Sequence, residues 1–228
     1  MKLPWSREDS STGLFGKPDQ ESNDNEGQKC PGLAKILEKI LREDKPEILD
    51  LGAFCGATAV YLADRGARVS VEQLEIPAPL PKPPAKPAPG KSLRAEEPAE
   101  PPPPIRLDQP DGKFHLVLIW EVADFVPSDR LPEFGAEIHR VLVDGGWALL
   151  LSISDAPKDG HAARRPPRYR VVQDDLVARE PNEGPPMKRY GHNPRQVERA
   201  LEPLSVQGIH LQRNQLREFL LFKRARSG

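Results

Sequence analysis

The chain has 228 residues, enough for one domain of ordinary size or two small ones. Its 27 prolines and 37 % hydrophobic content indicate that part of it does not pack, leaving one domain of about 170 to 190 residues. A net charge of −1 provides no general attraction to nucleic acid or acidic membranes, and no apolar run reaches the length of a signal peptide core or membrane span. Only two cysteines are present and no Cys/His spacing predicts a metal site, so we expect a cytoplasmic protein without a metal.

The chain begins with a polar segment. Residues 1–29 are rich in Ser, Asp, Asn, Glu and Gly, and they cannot bury enough apolar surface to offset the entropy lost on ordering. We therefore predict a disordered tail over 1–29 and a folded domain over 30–228. The domain should begin with a helix from Pro31 to Glu43, because apolar residues recur there at helical spacing and proline suits a first turn.

The stretch from Glu47 to Thr58 organises the rest of the domain. A short apolar run reaches Asp50 and breaks at Gly52, and a turn closed by Gly56 leads into a helical pattern. Strand, glycine turn and helix begin an open α/β nucleotide-binding sheet, whose ligand lies beyond the carboxyl end of the strand. Glycines permit positive φ and a close approach of the ligand, and the helix start offers free N–H groups to an anion.

A second short strand is predicted from Arg68 to Glu72. Nucleotide-binding sheets place an acid about 20 residues beyond the glycine turn, where its carboxylate accepts hydrogen bonds from the ribose hydroxyls. Glu72 has that spacing from Gly52. The alternative is a carboxylate that is only solvated.

Residues 77–104 interrupt the pattern with twelve prolines in 28 positions. Such a density removes backbone donors and favours extended polyproline II structure, so we predict a disordered surface insertion. A docking segment for a proline-reading protein partner is the alternative. The insertion stands where a helix and a further strand would continue the pattern, so either that helix is missing or Ile105 to Leu107 make a stunted strand.

The second half returns to regular elements. Phe114 to Trp120 is a nearly continuous apolar run, typical of a strand buried on both faces, and it ends at Glu121. A helix from Pro127 with Ser128 as N-cap should follow, and Asp144-Gly145-Gly146 should lead into a strand over 147–153. Four arginines then cluster between 164 and 170, where a solvated charge run and an anion-binding role both remain open. A strand over 169–172, a helix begun by Asn193-Pro194, and strands over 204–212 and 217–222 complete the prediction.

Two motifs resemble the class I S-adenosylmethionine-dependent methyltransferases. Their motif I reads Asp/Glu-x-Gly-x-Gly-x-Gly, which Asp50, Gly52 and Gly56 match, while Phe54 replaces the middle glycine. Residues 141–146, Val-Leu-Val-Asp-Gly-Gly, resemble the segment before the family's fifth strand.

The resemblance implies a Rossmann-like α/β fold: a seven-stranded, mostly parallel sheet with helices on both faces and a reversed last strand. It also implies that S-adenosylmethionine lies over the glycine turn, with an acid on its ribose and the end of the fourth strand facing the cleft. The cofactor-binding residues implied in this way are Asp50, Gly52, Ala53, Phe54, Gly56, Glu72, Trp120 and Glu121.

The functional hypothesis is a methyltransferase acting on a small molecule or a protein. The alternative is a catalytically degenerate scaffold or regulatory interaction protein, motivated by Phe54, by the prolines, and by His115 where the family has an acid. No catalytic residue is identified, and Glu121, Tyr190 and His192 are weak candidates for a base. A nicotinamide oxidoreductase is disfavoured because Gly-x-Gly-x-x-Gly is absent, and DNA-base methylation because Asn/Asp-Pro-Pro-Tyr/Phe is absent.

The predicted disorder of the proline-rich insertion can be tested by deleting it. Removing residues 79–102 is expected to leave the Tm within a few degrees of the full-length value, because a disordered segment contributes no packing. Differential scanning calorimetry of the two proteins gives the comparison. A variant that no longer folds would show that the segment is structural.

Overall fold

The computed structural model describes residues 27–75, 103–153, 163–212 and 215–225. The four helices are α1 (Pro31–Ile40), α2 (Gly56–Ala63), α3 (Leu131–Val141) and α4 (Pro194–Ala200), with a 3-10 turn over Val122–Phe125. The first six strands are β1 (Gln28–Lys29), β2 (Glu47–Leu51), β3 (Arg68–Glu72), β4 (Phe114–Trp120), β5 (Leu142–Ile153) and β6 (Ala163–Arg164). The last five are β7 (Arg168–Gln173), β8 (Leu176–Glu180), β9 (Met187–Lys188), β10 (Ser205–Leu211) and β11 (Leu216–Phe222).

The main sheet has the strand order β10-β11-β5-β4-β2-β3. Strands β3, β2, β4 and β5 are parallel to one another, β11 runs antiparallel to β5, and β10 runs antiparallel to β11. The chain order reverses between β2 and β4, so the carboxyl ends of these neighbours form a topological switch point, where open sheets bind ligands. Seven strands were predicted, and the described residues contribute six of them to this sheet.

Alternation along the strands creates two apolar layers. Leu116 and Leu118 of β4 face one side, where α1 and the β7–β8 hairpin cover the sheet. Val117 and Ile119 face the other, where α3 and α4 pack. A parallel sheet buried on both faces needs this continuous apolar composition, and the run from Phe114 to Trp120 provides it.

Two small antiparallel sheets stand beside the main one. Strand β1 pairs with β8, which pairs with β7, and β6 pairs with β9. Gln28 and Lys29 lie within the predicted tail, yet they pair with Val177 and Leu176. The domain therefore starts slightly earlier than predicted, while residues 1–26 and most of the proline-rich insertion lie outside the described residues.

Several predicted boundaries are corrected. Helix α1 ends at Ile40, before Glu43, and the N-cap of α3 is Arg130, whereas Ser128 contacts His192. Strand β5 begins at Leu142 because the two glycines form an irregularity within the strand.

The segment after the insertion is not a strand. Ile105 and Leu107 donate their backbone N–H groups to the carboxylates of Glu133 and Glu137 on α3, at 3.2 and 2.9 Å. Side-chain acceptors thus replace the strand partners that a sheet would have supplied.

None of the helices in the described ranges combines the length and apolar character needed to cross a membrane.

The crossing of α3 and α4 gives a stability prediction. A Cβ on Gly135 would lie 2.2 Å from the carbonyl oxygen of Ala200, so Gly135→Ala must push the two helices apart. The free energy of unfolding should fall by about 1–3 kcal/mol, despite alanine's better helix propensity. Urea denaturation checks this, with Gly208→Ala as control because its Cβ would meet nothing nearer than 3.8 Å. Equal stability of the two variants would contradict the close crossing.

Candidate functional site

The glycine turn after β2 has the conformation expected of a ligand-binding turn. Gly52 has φ +154° and donates its N–H to the carbonyl oxygen of Glu72 at 3.2 Å. A Cβ at Gly52 would lie 3.4 Å from the Trp120 side chain, which is an ordinary contact distance, so it is the backbone conformation that favours glycine. The Phe54 side chain is 60 % exposed, and its ring lies beside Gly56 at the start of α2. The turn therefore presents an aromatic ring to solvent.

Glu72 stands at the carboxyl end of β3, next to this turn. Its Oε1 accepts a hydrogen bond from the backbone N–H of Asp108 at 2.8 Å. Its Oε2 is buried, and no group among the described residues bonds to it. A buried carboxylate oxygen without a hydrogen-bond donor is uncommon in native proteins and requires a physical explanation.

Asp50 is buried below the turn and accepts a short hydrogen bond from the indole Nε1–H of Trp120. Burial raises the pKa of this carboxyl to about 6, although the indole hydrogen bond favours its charged form. The two side chains connect the ends of β2 and β4. This contact places Asp50 and Trp120 in the same candidate site.

Trp120 also stacks on Tyr169 of β7, with ring centroids 5.1 Å apart and an interplanar angle of 14°. The Tyr169 hydroxyl donates to Glu121 at 2.5 Å, and Arg179 Nε of β8 donates to the same carboxylate at 2.8 Å. Burial, followed by the charge of Glu121, raises the pKa of Tyr169 well above its usual value. Glu121 itself has φ +53°, a left-handed conformation that turns the chain sharply after β4.

These contacts define a cap, residues 168–180 of β7 and β8, that closes over the glycine turn and the start of α2. Ala53 forms a parallel bridge with Arg168. The hydroxyl of the buried Thr58 donates to the Tyr169 carbonyl at 2.8 Å and accepts from the Val171 N–H at 3.0 Å. The backbone of the cap thus contacts the turn itself.

A second buried acid lies beyond Glu121. Asp124 accepts hydrogen bonds from the Ser152 hydroxyl at 2.5 Å and the Ile153 N–H at 2.9 Å, and Arg189 lies 3.3 Å from it. Burial, then the neighbouring charge of Glu121, raises the pKa of Asp124 to about 6. The two acids and their partners fasten the ends of β4 and β5 to the segment that follows β9.

The weak candidates for a base have different positions. Glu121 is 1 % exposed and fully engaged by Tyr169 and Arg179. His192 Nε2 contacts the backbone carbonyls of Ala123 and Val126 and thereby holds the 3-10 turn, and burial lowers the pKa of the imidazole. Tyr190 lies close by and is partly exposed.

The structure brings most of the predicted residues together. Asp50, Gly52, Trp120 and Glu121 form one connected group, and Glu72 joins it through the carbonyl that Gly52 contacts. Other members of the site were missed: Tyr169, Arg179 and Asp124. The run over 169–172 predicted a strand, but no local pattern indicates that this strand crosses over the glycine turn.

Nowhere in the described ranges do three His, Cys, Asp or Glu residues group in a way that could hold a metal ion. No protein-family model matches the chain, and no curated protein resembles it significantly.

Solved structures share its fold. An S-adenosylmethionine-dependent methyltransferase from Mesorhizobium loti superposes with a TM-score of 0.50 at 13 % identity, covering 85 % of this chain and 96 % of its own. Another, from Methanosarcina mazei, has a TM-score of 0.50 at 12 % identity, covering 84 % of this chain and 98 % of its own. At this identity the likeness shows the fold alone: a mixed α/β domain with a largely parallel central sheet.

The buried carboxyl of Asp50 predicts a pH effect on stability. Its pKa is raised in the folded state, so the folded protein holds this proton more tightly, and stability falls as pH rises from about 4 through about 6. The contribution is on the order of 2–3 kcal/mol. Asp50→Asn keeps an oxygen for the Trp120 indole but cannot ionise. Urea unfolding between pH 4.5 and 7.5 should show the variant gaining stability relative to wild type as pH rises, and a constant difference would contradict the prediction.

Proposed function

We propose that this chain is an S-adenosylmethionine-dependent methyltransferase. The observation that carries the proposal is the unpaired Oε2 of Glu72 beside the left-handed Gly52 turn, at the switch point of the sheet. A ribose offers hydroxyl donors for such an oxygen, and nucleotide-binding sheets place an acid at this position for that purpose. The shared fold with solved methyltransferases supports this choice among nucleotide ligands.

The charges around the turn suit a positively charged donor. The exposed ring of Phe54 offers a π face to a cation, and aromatic faces attract onium groups by the same electrostatics as ammonium ions. Below the turn lie the acids Asp50 and Glu121, of which Glu121 is already paired with Arg179. Asp50 has no cationic partner among the described residues, and a cation near it would offset the cost of its burial.

When bound, the cofactor would supply a methyl group carried on positively charged sulfur for transfer to an electron pair of the acceptor, and the electrons of the carbon–sulfur bond would remain on sulfur. Such a displacement is accelerated largely by holding the reacting atoms in line and excluding water. The chain's own contribution is therefore positional. The turn and Glu72 would hold the nucleoside, and the cap would close over it. The acceptor is a small molecule or a protein.

A second candidate function is a scaffold that no longer binds the cofactor. One observation favours it: the cap fills the space above Trp120 with the ring of Tyr169 and pairs its backbone with Ala53. In that case the domain would serve as a binding surface for a protein partner, which the predicted tail and proline-rich insertion would also contact.

Calorimetric titration with S-adenosylmethionine and S-adenosylhomocysteine tests the proposal. We expect micromolar binding by wild type and at least tenfold weaker binding by Glu72→Gln, because the amide lacks the charge that strengthens hydrogen bonds to ribose hydroxyls. Glu75→Gln is the matched control, since Glu75 is exposed three residues further on.

A folded wild-type protein that binds neither compound would establish the scaffold candidate. Binding that Glu72→Gln leaves unaltered would instead place the nucleoside elsewhere. Far-ultraviolet circular dichroism of each variant confirms that the fold is intact.

A further inference from the structure

Four exposed cations follow one another around the cap: Arg164, Arg165, Arg168 and Lys188. We call them the cationic rim. Residues 163–192 contain seven Lys or Arg and four Asp or Glu, although the whole chain carries a net charge of −1. This local excess of positive charge lies where the cap meets the carboxyl edge of the sheet.

The backbone fixes the path of the rim. At one end, Arg168 lies beside Ala53 in the glycine turn after β2. At the other, Arg164 lies in the β6–β9 pair, and Arg189, directly after β9, donates to the Ile153 carbonyl at the end of β5 at 2.8 Å. The rim therefore crosses two inter-strand spacings, roughly 10 Å. The four residue steps from Arg164 to Arg168 reach about 13 Å when the chain is extended, which is enough to cover that distance. It passes in front of β4, where the methyl acceptor of the proposed reaction would approach.

Part of this charge has no acidic partner. Glu180 engages Arg170 at 2.7 Å and Arg168 at 3.9 Å. The two aspartates of the β7–β8 turn form ion pairs with residues outside the rim. Within the described ranges no ion pair engages Arg164, Arg165 or Lys188, and Glu183 is the remaining acid of the segment. A ligand anion would complete this arrangement.

We propose that the cationic rim recognises a carboxylate or phosphate group on the small molecule that accepts the methyl group. The inference rests on the proposed function and names its substrate class. Arginine matches both anions with its planar fork of donors. The arrangement also separates the charges. The acids Asp50 and Glu121 would lie beside the positively charged methyl donor, and the cationic rim would lie beside the negatively charged acceptor. The acceptor's charge would thus orient it with its neutral, reacting part inward.

A nucleic acid is a poorer fit for the same cations. Duplex DNA carries one negative charge for every 1.7 Å of its axis, so its binding depends on many cations over a long surface. The rim spans roughly 10 Å, and the chain as a whole has no positive field.

Calorimetry with three matched probes tests the rim: phenyl phosphate, benzoate and neutral benzamide, each titrated into the full chain with and without saturating S-adenosylhomocysteine. We expect the anions to bind at least tenfold more tightly than benzamide, and the stronger of the two identifies phosphate or carboxylate as the preferred group. The double variant Arg164→Gln, Arg165→Gln should bind them about tenfold more weakly, as expected for two exposed ion pairs. The control is Arg42→Gln, Lys45→Gln, an equal charge change at exposed positions before β2, at the opposite edge of the sheet.

Equal binding of all three probes, or unchanged binding by the rim variant, would overturn the proposal. So would rim-dependent binding of a 20-nucleotide DNA duplex that is tighter than that of phenyl phosphate, because it would assign the rim to nucleic acid. The two proposals fail separately. If the chain binds no S-adenosylhomocysteine but still binds anions through the rim, the methyltransferase proposal fails, and the rim's role in binding a methyl acceptor fails with it. If the chain binds S-adenosylhomocysteine but shows no preference for anions, only the proposal for the rim fails.

Discussion

The buried carboxylate of Glu121 is the contact on which the arrangement of the site depends. It follows β4 directly, and its 1 % exposure would be unfavourable without partners. Tyr169 and Arg179 supply them from adjacent strands of the cap, so one charge holds both strands. Removing either partner would leave a buried charge incompletely compensated, which costs far more than the loss of a surface ion pair. The cap is therefore an integral part of the domain.

A chain of side chains extends this contact to the glycine turn. Tyr169 stacks on Trp120, and Trp120 donates to Asp50, so the ends of β2 and β4 and the cap form one unit. Each link is directional: a hydrogen bond fixes its donor, and offset stacking fixes the separation of two rings. A change at one of these residues will be transmitted to the others, and stability and ligand binding should change together in this part of the molecule.

The same network gives the two functional candidates a common physical basis. The cap contacts one side of the turn and would exclude water from that side of a bound donor, which favours a displacement reaction. It also occupies space above Trp120 that a ligand would need. A ligand can occupy the site only if its free energy of binding exceeds the free energy of the cap contacts that it must displace. The unpaired oxygen of Glu72 and the exposed ring of Phe54 favour a ligand, because neither contributes much to a closed, empty site.

Much of the fold follows from local pattern. The predicted strands over Glu47 to Leu51, Arg68 to Glu72 and Phe114 to Trp120 are confirmed, because alternation and apolar runs depend on neighbouring residues only. The helix start at Asn193-Pro194 is confirmed as well, and the Asn193 side chain accepts from the Gln196 N–H in a capping box. Where long-range contacts compete, prediction failed. Ser128 contacts His192 instead of capping a helix. For Ile105 to Leu107 the sequence left a stunted strand as one of two possibilities, and the bonds to carboxylates of α3 exclude it.

The sequence by itself determined the order of the elements and the position of the glycine turn, together with the acids at the ends of β2 and β3. These depend on spacing along the chain, which a sequence displays directly. Only the tertiary structure decided that Arg179 would neutralise Glu121 and that Tyr169 would donate a hydrogen bond to it, from about 50 residues further along the chain. It also decided that the arginines near 164–168 would lie along the edge of the sheet. Such contacts join residues that are far apart in the sequence, and no repeating pattern along the chain indicates that they will meet. They are set by the packing of the whole domain, which no short stretch of the chain specifies.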